Sequence, residues 1–444
     1  MAQRWKNYFF YQNLLFDLSF FFPESAHRRK RSGNFRAGRC FMADPGILSF
    51  RFSPHFSEPP TILVGVTNAE TCVVLGARLR ALRKVGFRVL LVSSPGELLD
   101  STAAGAGVER IALPMRRCIA PLSDLIALLR LVWLLGDRRP DLVEFSTPKA
   151  GLLGSLAALL RGVPRRVYML RGLKLERSRG FKRKVLLAAE RLACACADVV
   201  LCNSESLRSE ALALRLAPED KLLVLGEGSS NGVDVERFSP GPSTVRETFG
   251  IPRDAPLVGY VGRLTRDKGL PELVEAFDLI LRAEPSARLL LTGWFDAAED
   301  ALDPALRKRI LNHPRIYCTG FVGSTAPYYR AMDVLVLPTW REGFPNAVLE
   351  AAATGIPVVT TESTGARDSI VPEVTGLLIP PGYPGAIYEA VLKLLRDPER
   401  RHRMGRAARA WVVEHYSEER VLGLTAGFYR SLLETEPVVR LQSA

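Results

Sequence analysis

Two glutamates and the start of a helix carry the most legible chemistry in this sequence. In residues 333–370, DVLVLPTWREGFPNAVLEAAATGIPVVTTESTGARDSI, Glu342 stands in a polar, glycine-containing loop and Glu350 follows eight residues later. Were the intervening residues all helical, the two carboxylates would be about 12 Å apart along the axis and on different faces. That is too far to share a proton or a metal. The spacing suits a long ligand with hydroxyls at both ends and an anion between them. Pro345 fits the first turn of a helix, where its missing N–H costs nothing, and the N–H groups near Pro345 and Asn346 are aimed as an anion site.

The elements that must hold these groups follow from the flanking residues. Residues 334–338, VLVLP, form a short buried-strand run, Gly355 is the expected helix stop, and residues 356–361, IPVVTT, form the next strand. Strand, loop, helix and strand make a βαβ unit, and ligands of such units bind where loops leave the carboxyl ends of the strands. A nucleotide-sugar satisfies the pattern, with Glu342 on the hexose, the helix N–H groups on the diphosphate and Glu350 on the ribose. The bland alternative is an ordinary βαβ unit with two solvated glutamates. Glu-x7-Glu within EGFPNAVLEAAATGIPVVTT, flanked by STGARDS, resembles the signature of the family-4 retaining glycosyltransferases. The resemblance implies a GT-B fold, in which two Rossmann-like, doubly wound α/β domains face each other across a cleft.

Length and composition agree with two domains. The chain has 444 residues, too many for one core. The expected division is an extension at 1–57, a first Rossmann-like, acceptor-side domain at 58–238, a linker at 239–255, a second, donor-binding domain at 256–418, and a final helix with tail at 419–444. In the resembling family that helix crosses back to the first domain. The seven cysteines are scattered without a C-x-x-C pair, the pattern of reduced thiols in a cytosolic protein, and the five histidines form no metal-ligand spacing. The net charge of +13 is concentrated. Residues 1–57 carry nine Arg or Lys against three Asp or Glu, and residues 161–191 carry eleven against two. Two such patches favour a polyanion or an anionic membrane surface.

From residue 61 the chain alternates strand and helix as a parallel doubly wound sheet requires. LSDLIALLRLVWLL, at residues 122–135, is too short and too interrupted by charge to cross a membrane, and is expected as a core helix. Residues 181–197 form an amphipathic helix that sets Lys182, Arg183 and Lys184 beside an apolar face, the expected contact with anionic lipid. The aromatic-rich, then basic start has the makings of neither a span nor a signal peptide. It is expected to be disordered or to lie ahead of the true start, with Met42 a candidate initiator.

The resemblance carries further residues. GRLTRDKG matches the family's G-R-x4-K-G and implies that Arg263 and Lys268 contact the donor diphosphate, as fixed cations stabilising the charge that grows on a departing phosphate. With Glu342 they are the expected catalytic groups, and donor binding extends over Gly343, Phe344, Pro345, Asn346 and Glu350. No metal and no cofactor is expected beyond the nucleotide-sugar itself. On the acceptor side the expected residues are Thr67 and Asn68 in the loop after the first strand, Lys149 in TPKAGLLG, and Arg171, where many family members have His. TPK-x-GLLG resembles a branch acting on polyprenyl-diphosphate-linked sugars. The implied reaction moves a hexose or N-acetylhexosamine from a uridine diphosphate sugar to such an acceptor, with retention, by a protein peripherally attached to the inner face of the cell membrane. Nucleic acid is not an expected partner, because the basic stretch lacks interleaved aromatics. Two rivals share the fold class: a nucleotide-sugar 2-epimerase and a non-catalytic subunit that binds membrane or polyanion.

Overall fold

The computed structural model describes residues 58–296 and 300–434, and the expectations for 1–57 and for the tail after 434 lie outside them. The described strands form two sheets, every pairing parallel. The first contains β1 (Thr61–Gly65), β2 (Arg88–Ser93), β3 (Glu109–Ala112), β4 (Leu142–Ser146), β5 (Arg165–Leu170), β6 (Val199–Cys202) and β7 (Leu222–Leu223), in the order β3-β2-β1-β4-β5-β6-β7. The second contains β8 (Leu257–Val261), β9 (Arg288–Thr292), β10 (Ile316–Gly320), β11 (Val334–Leu337), β12 (Val358–Thr361) and β13 (Gly376–Ile379), in the order β10-β9-β8-β11-β12-β13. Both halves therefore reverse direction next to their first strand. The switch points fall between β1 and β4 and between β8 and β11, so the loops leaving these four strands frame the places where a ligand fits. Central strands such as Leu257–Val261 and Val334–Leu337 are buried along their whole length, as a sheet covered by helices on both faces demands.

Several elements differ from expectation. A helix at Glu97–Ala106 separates β2 from β3; it buries Leu99, Ala103 and Ala106 at helical spacing and ends on left-handed Gly107. β13 is a four-residue strand, too brief to announce itself. The segment 239–255 is not a free linker. It carries a short helix, Val245–Thr248, and places Val245, Ile251 and Ala255 in the second core, while Arg246 bridges to Asp333 at 2.8 Å. The helix Pro121–Arg138 is only half a core helix: Ala127, Leu131, Leu134 and Leu135 are buried, but Leu122, Leu125, Ile126, Leu129 and Trp133 are exposed.

The chain passes between the domains twice, side by side. Val233 N–H donates to the Tyr416 carbonyl at 2.8 Å, and Glu418 N–H donates to the Val233 carbonyl at 2.8 Å. Past the second crossing, the helix Glu418–Glu434 lies on the first domain and puts Ala426 and Tyr429 into its core. The fully buried Tyr429 hydroxyl donates to Glu144 Oε2 at 2.6 Å and accepts from Arg78 Nη2 at 2.7 Å, completing a buried Arg78–Glu144 ion pair at 2.8 Å. Among the described residues no helix is long and apolar enough to cross a membrane.

Candidate active site

The second domain's switch point gathers the expected donor residues. The loop after β8 brings Lys268, and the loop after β11 brings Glu342, into a partly buried ion pair. Arg263, from the first of these loops, bonds Asp296 through Nη1 at 2.9 Å and reaches Asp267 at 3.5 Å. Asp267 is 1 % exposed and accepts from Thr265 Oγ1 at 2.6 Å and from Arg341 at 3.3 Å. Burial pushes the Asp267 carboxyl up, but the Thr265 hydrogen bond and the cations Lys268, Arg263 and Arg341 outweigh it and hold the group below the usual range. Asp267 thus stays ionised and fixes two arginines that flank the loop. Sequence reasoning overlooked Asp267, although it sits inside G-R-x4-K-G.

Pro345 is the N-cap and the helix runs Asn346–Ala353, one residue later than expected. Its far end closes as foreseen: Gly355, at φ +82, donates to Ala352 at 2.9 Å while Ile356 donates to Ala351 at 3.0 Å, a Schellman pair. Glu350 is partly buried, and its Oε2 accepts from Tyr329 at 2.9 Å and from Thr325 at 3.2 Å. Burial raises its pKa to about 7 against those two hydrogen bonds. The partners come from the helix Ala326–Ala331 and the residue before it, which the sequence did not link to the site.

The two domains meet where Gly343 passes Arg171. A Cβ on Gly343 would stand 2.1 Å from the Arg171 carbonyl oxygen, so only glycine fits. Arg171 follows β5; its Nη1 donates to Ser230 at 3.2 Å, while its buried Nε and Nη2 have no hydrogen-bond partner among the described residues. Burial and nearby Arg78 lower its pKa to about 10. A second contact joins Ser206 of the first domain to Asp368 and, through its Oγ, to Gly365 N–H at 2.7 Å.

The other residues expected on the acceptor side are largely engaged within the first domain. Thr67 is 4 % exposed; its hydroxyl shares a 2.6 Å hydrogen bond with Thr147 and accepts from Ala150 N–H at 3.1 Å, bracing the loop after β1 to the loop after β4. Asn68 bonds Thr71 at 2.9 Å and also Glu70. Lys149 bonds Asp124 at 2.6 Å and the Cys118 carbonyl. It ties one helix start to another and does not project into the cleft as a free cation. The basic stretch 161–191 is likewise partly consumed, since Arg166 pairs with Asp198 and Arg191 donates to the Leu214 carbonyl at 2.9 Å. Among the described residues no cluster of three His, Cys, Asp or Glu is placed to hold a metal.

One strand beyond β8, a cavity of about 410 Å3 opens at the carboxyl ends of β9 and β10, lined by Trp294, Phe295, Thr319 and Gly320 among others. With the cationic loop beside it, this half offers an apolar slot, two fixed cations and two carboxylates along one sheet edge.

The comparisons with known proteins give the class. A family model described as glycosyl transferases group 1 matches residues 255–397, and one described as a glycosyl transferase 4-like domain matches residues 73–228. The capsular polysaccharide biosynthesis glycosyltransferase CapM of Staphylococcus aureus is 35% identical over 373 residues, covering 83% of this chain and 96% of that protein. An Escherichia coli UDP-Gal:alpha-D-GlcNAc-diphosphoundecaprenol alpha-1,3-galactosyltransferase is 28% identical over 274 residues, 59% of this chain and 68% of its own length. The fold is shared with Anabaena HepE crystallised with UDP-glucose, at TM-score 0.70 and 19% identity over 83% of this chain and 99% of that one. It is shared too with sucrose-phosphate synthase from Thermosynechococcus elongatus, at TM-score 0.70 and 21% identity over 84% and 99%. The architecture is GT-B. This chain belongs to the group 1, family-4-type glycosyltransferases.

Proposed function

We propose that this enzyme transfers a hexose or N-acetylhexosamine, with retention and without a metal, from a uridine diphosphate sugar to a polyprenyl-diphosphate-linked saccharide in the making of a surface polysaccharide. The observation that carries the reading is the convergence of Arg263, Lys268 and Glu342 at the β8–β11 switch point, opposite Arg171. In this reading the base lies in the Trp294–Phe295 slot and the Glu350 carboxylate, held by Tyr329 and Thr325, accepts the ribose hydroxyls. Arg263, Lys268 and the N–H groups at Asn346 surround the diphosphate. As the sugar–phosphate bond breaks, charge grows on the leaving oxygen; cations already fixed by Asp267, Asp296 and Glu342 stabilise it without reorganising. Retention follows if the acceptor hydroxyl attacks from the leaving group's face and passes its proton to the departing phosphate, a course that asks no nucleophile of the chain. The names of the Staphylococcus and Escherichia relatives support a lipid-linked acceptor and a capsular role. The histidine-free stretch 56–312 weighs against the epimerase alternative, which needs an acid–base pair for proton abstraction.

The test is thermal unfolding with UDP, GDP, ADP and their sugars, each with and without chelator, beside Glu350→Ala. Saturation at a hundred times the dissociation constant adds about 2.7 kcal/mol. A uridine-selective, chelator-insensitive rise that the substitution removes supports the donor assignment. A flat response to every nucleotide overturns it. Transfer to a short-chain lipid diphosphate, with the product's anomeric coupling read by NMR, tests acceptor and retention.

A further inference from the structure

The apolar outer stripe of the helix Pro121–Arg138 has no covering element among the described residues. Leu122, Leu125, Ile126, Leu129 and Trp133 recur at steps of three and four, which confines them to one face about 100° wide, and their exposures run from 43% at Ile126 to 74% at Leu122. The opposite face is the one buried on the sheet. Five large side chains standing together in water are costly, and such patches mark an interaction surface.

The surrounding charge says which kind. At the ridge's first end, Arg116 and Arg130 line, with Leu122 and Ile126, a cavity of about 740 Å3 that also takes in Ser94 and Met115 after β2 and β3. At the other end, Arg161 folds over Gly136, one turn past Trp133: a Cβ there would meet its guanidinium at 2.0 Å. The two acids on this helix are engaged, Asp124 with Lys149 and Asp137 with Arg138. A Leu-rich ridge ending in Trp and rimmed by arginines matches the apolar interior and phosphate surface of an anionic bilayer. A second protein copy would have to supply acidic groups flanking an apolar groove. Helices on parallel strands start at the carboxyl ends, so the ridge runs from the cleft lip down the outer flank. Its Leu122 end borders a groove that is both apolar and cationic.

We infer that the protein lies on the membrane along the Pro121–Arg138 helix, with Leu122, Leu125, Leu129 and Trp133 inserted at the acyl boundary and Arg116, Arg130 and Arg161 at the phosphates. The inference rests on the lipid-linked acceptor reading for its choice of bilayer over another apolar partner. It moves the membrane contact away from Lys182–Lys184, where the sequence alone placed it, and aims the cleft lip at the lipid surface so that an embedded acceptor's diphosphate can enter sideways.

The experiment uses the full chain and vesicles of phosphatidylglycerol with phosphatidylcholine brominated in its acyl chains. Trp133 fluorescence should be quenched by the bromines, and Trp133→Phe should lose that lipid-dependent quenching. Leu129→Ala with Trp133→Ala, both at exposed positions and so without effect on folding, should lower vesicle partitioning about tenfold or more. Transfer to a water-soluble short-chain acceptor, measured in parallel, should be unchanged in these variants. Vesicle binding without quenching, or binding lost only on neutralising Lys182, Arg183 and Lys184, overturns the ridge. So does a lipid-free dimer, seen by sedimentation, that Trp133→Ala dissociates. Transfer absent while quenching persists would instead overturn the acceptor reading and leave the ridge standing.

Discussion

Gly343→Ala perturbs the close approach of Gly343 to Arg171, where the two domains meet. Gly343 is not among the residues in the left-handed region, so alanine meets no backbone penalty there and the whole effect is steric. The new methyl would lie 2.1 Å from the Arg171 carbonyl oxygen and 2.5 Å from its carbon. Ordinary contact needs about 3.4 Å, so the two loops must part by about 1 Å, carrying Glu342 and its partner Lys268 with them. A displacement of that size at a reacting centre costs on the order of a hundredfold in rate. Both loops lie at the mouth of the cleft, so the fold itself should lose little. The expected result is a kcat/KM about a hundredfold lower, with a melting temperature near that of the wild type and UDP affinity changed only a few-fold. Gly105→Ala, where a Cβ meets nothing within 4 Å among the described residues, is the matched control. A Gly343→Ala enzyme within about threefold of wild-type kcat/KM would refute the idea that this contact sets the catalytic geometry.

Removing the cation of Lys268 by alanine should lower kcat by about 10²–10³, the cost of losing one fixed stabiliser of a leaving charge; an unchanged single-turnover rate would contradict its role. Glu350, held near pKa 7, takes up its proton at a higher pH in the fold than in the unfolded chain. The folded state therefore binds more protons between the ordinary carboxylate range and about 7, and stability should fall as pH rises through that window. Glu350→Gln should flatten part of this slope in urea titrations at pH 5 and pH 7.5, and an identical slope in the variant would discard the assignment. Donor affinity, read by calorimetry, should weaken as pH falls below about 7, because the protonated acid accepts hydroxyl hydrogen bonds poorly. Tyr429→Phe removes two hydrogen bonds to buried charged groups and should cost about 3 kcal/mol in denaturant unfolding; a loss below about 1 kcal/mol would mean that Arg78 and Glu144 do not depend on it.

The second domain was the more legible because much of its pattern is local. Strand, loop, Pro345, helix and Gly355 follow one another within a single βαβ unit that spacing makes legible, and Arg263 and Lys268 share one loop that the family resemblance picks out; the Lys268–Glu342 and Tyr329–Glu350 pairings join separate segments and were not legible. The first domain depends on contacts between distant residues. Thr67 looked like a ligand group, but Thr147 uses its hydroxyl 80 residues later; Lys149 looked like a free cation, but Asp124 neutralises it. Arg166 and Arg171 counted toward a surface patch, yet one ties β5 to Asp198 and the other is partly buried at the domain contact. The helix Glu97–Ala106 escaped notice because alanines do much of its packing and give a faint apolar period. LSDLIALLRLVWLL shows the opposite failure: hydropathy reports that a face is apolar but not whether anything covers it.

The return of the last helix has a consequence for how the protein is made. Arg78 and Glu144 leave the ribosome early, whereas the Tyr429 hydroxyl that completes their pair arrives only after the whole second domain. At about 5–20 residues per second, the roughly 200 residues between the end of the first sheet and Tyr429 take some ten to forty seconds to synthesise. For that interval the nascent first domain holds an incompletely satisfied ion pair and an uncovered apolar strip where Ala426 and Tyr429 will sit. The second domain needs no such late piece, so the half translated second can mature first, and the first domain is the part of the newborn chain most in need of protection.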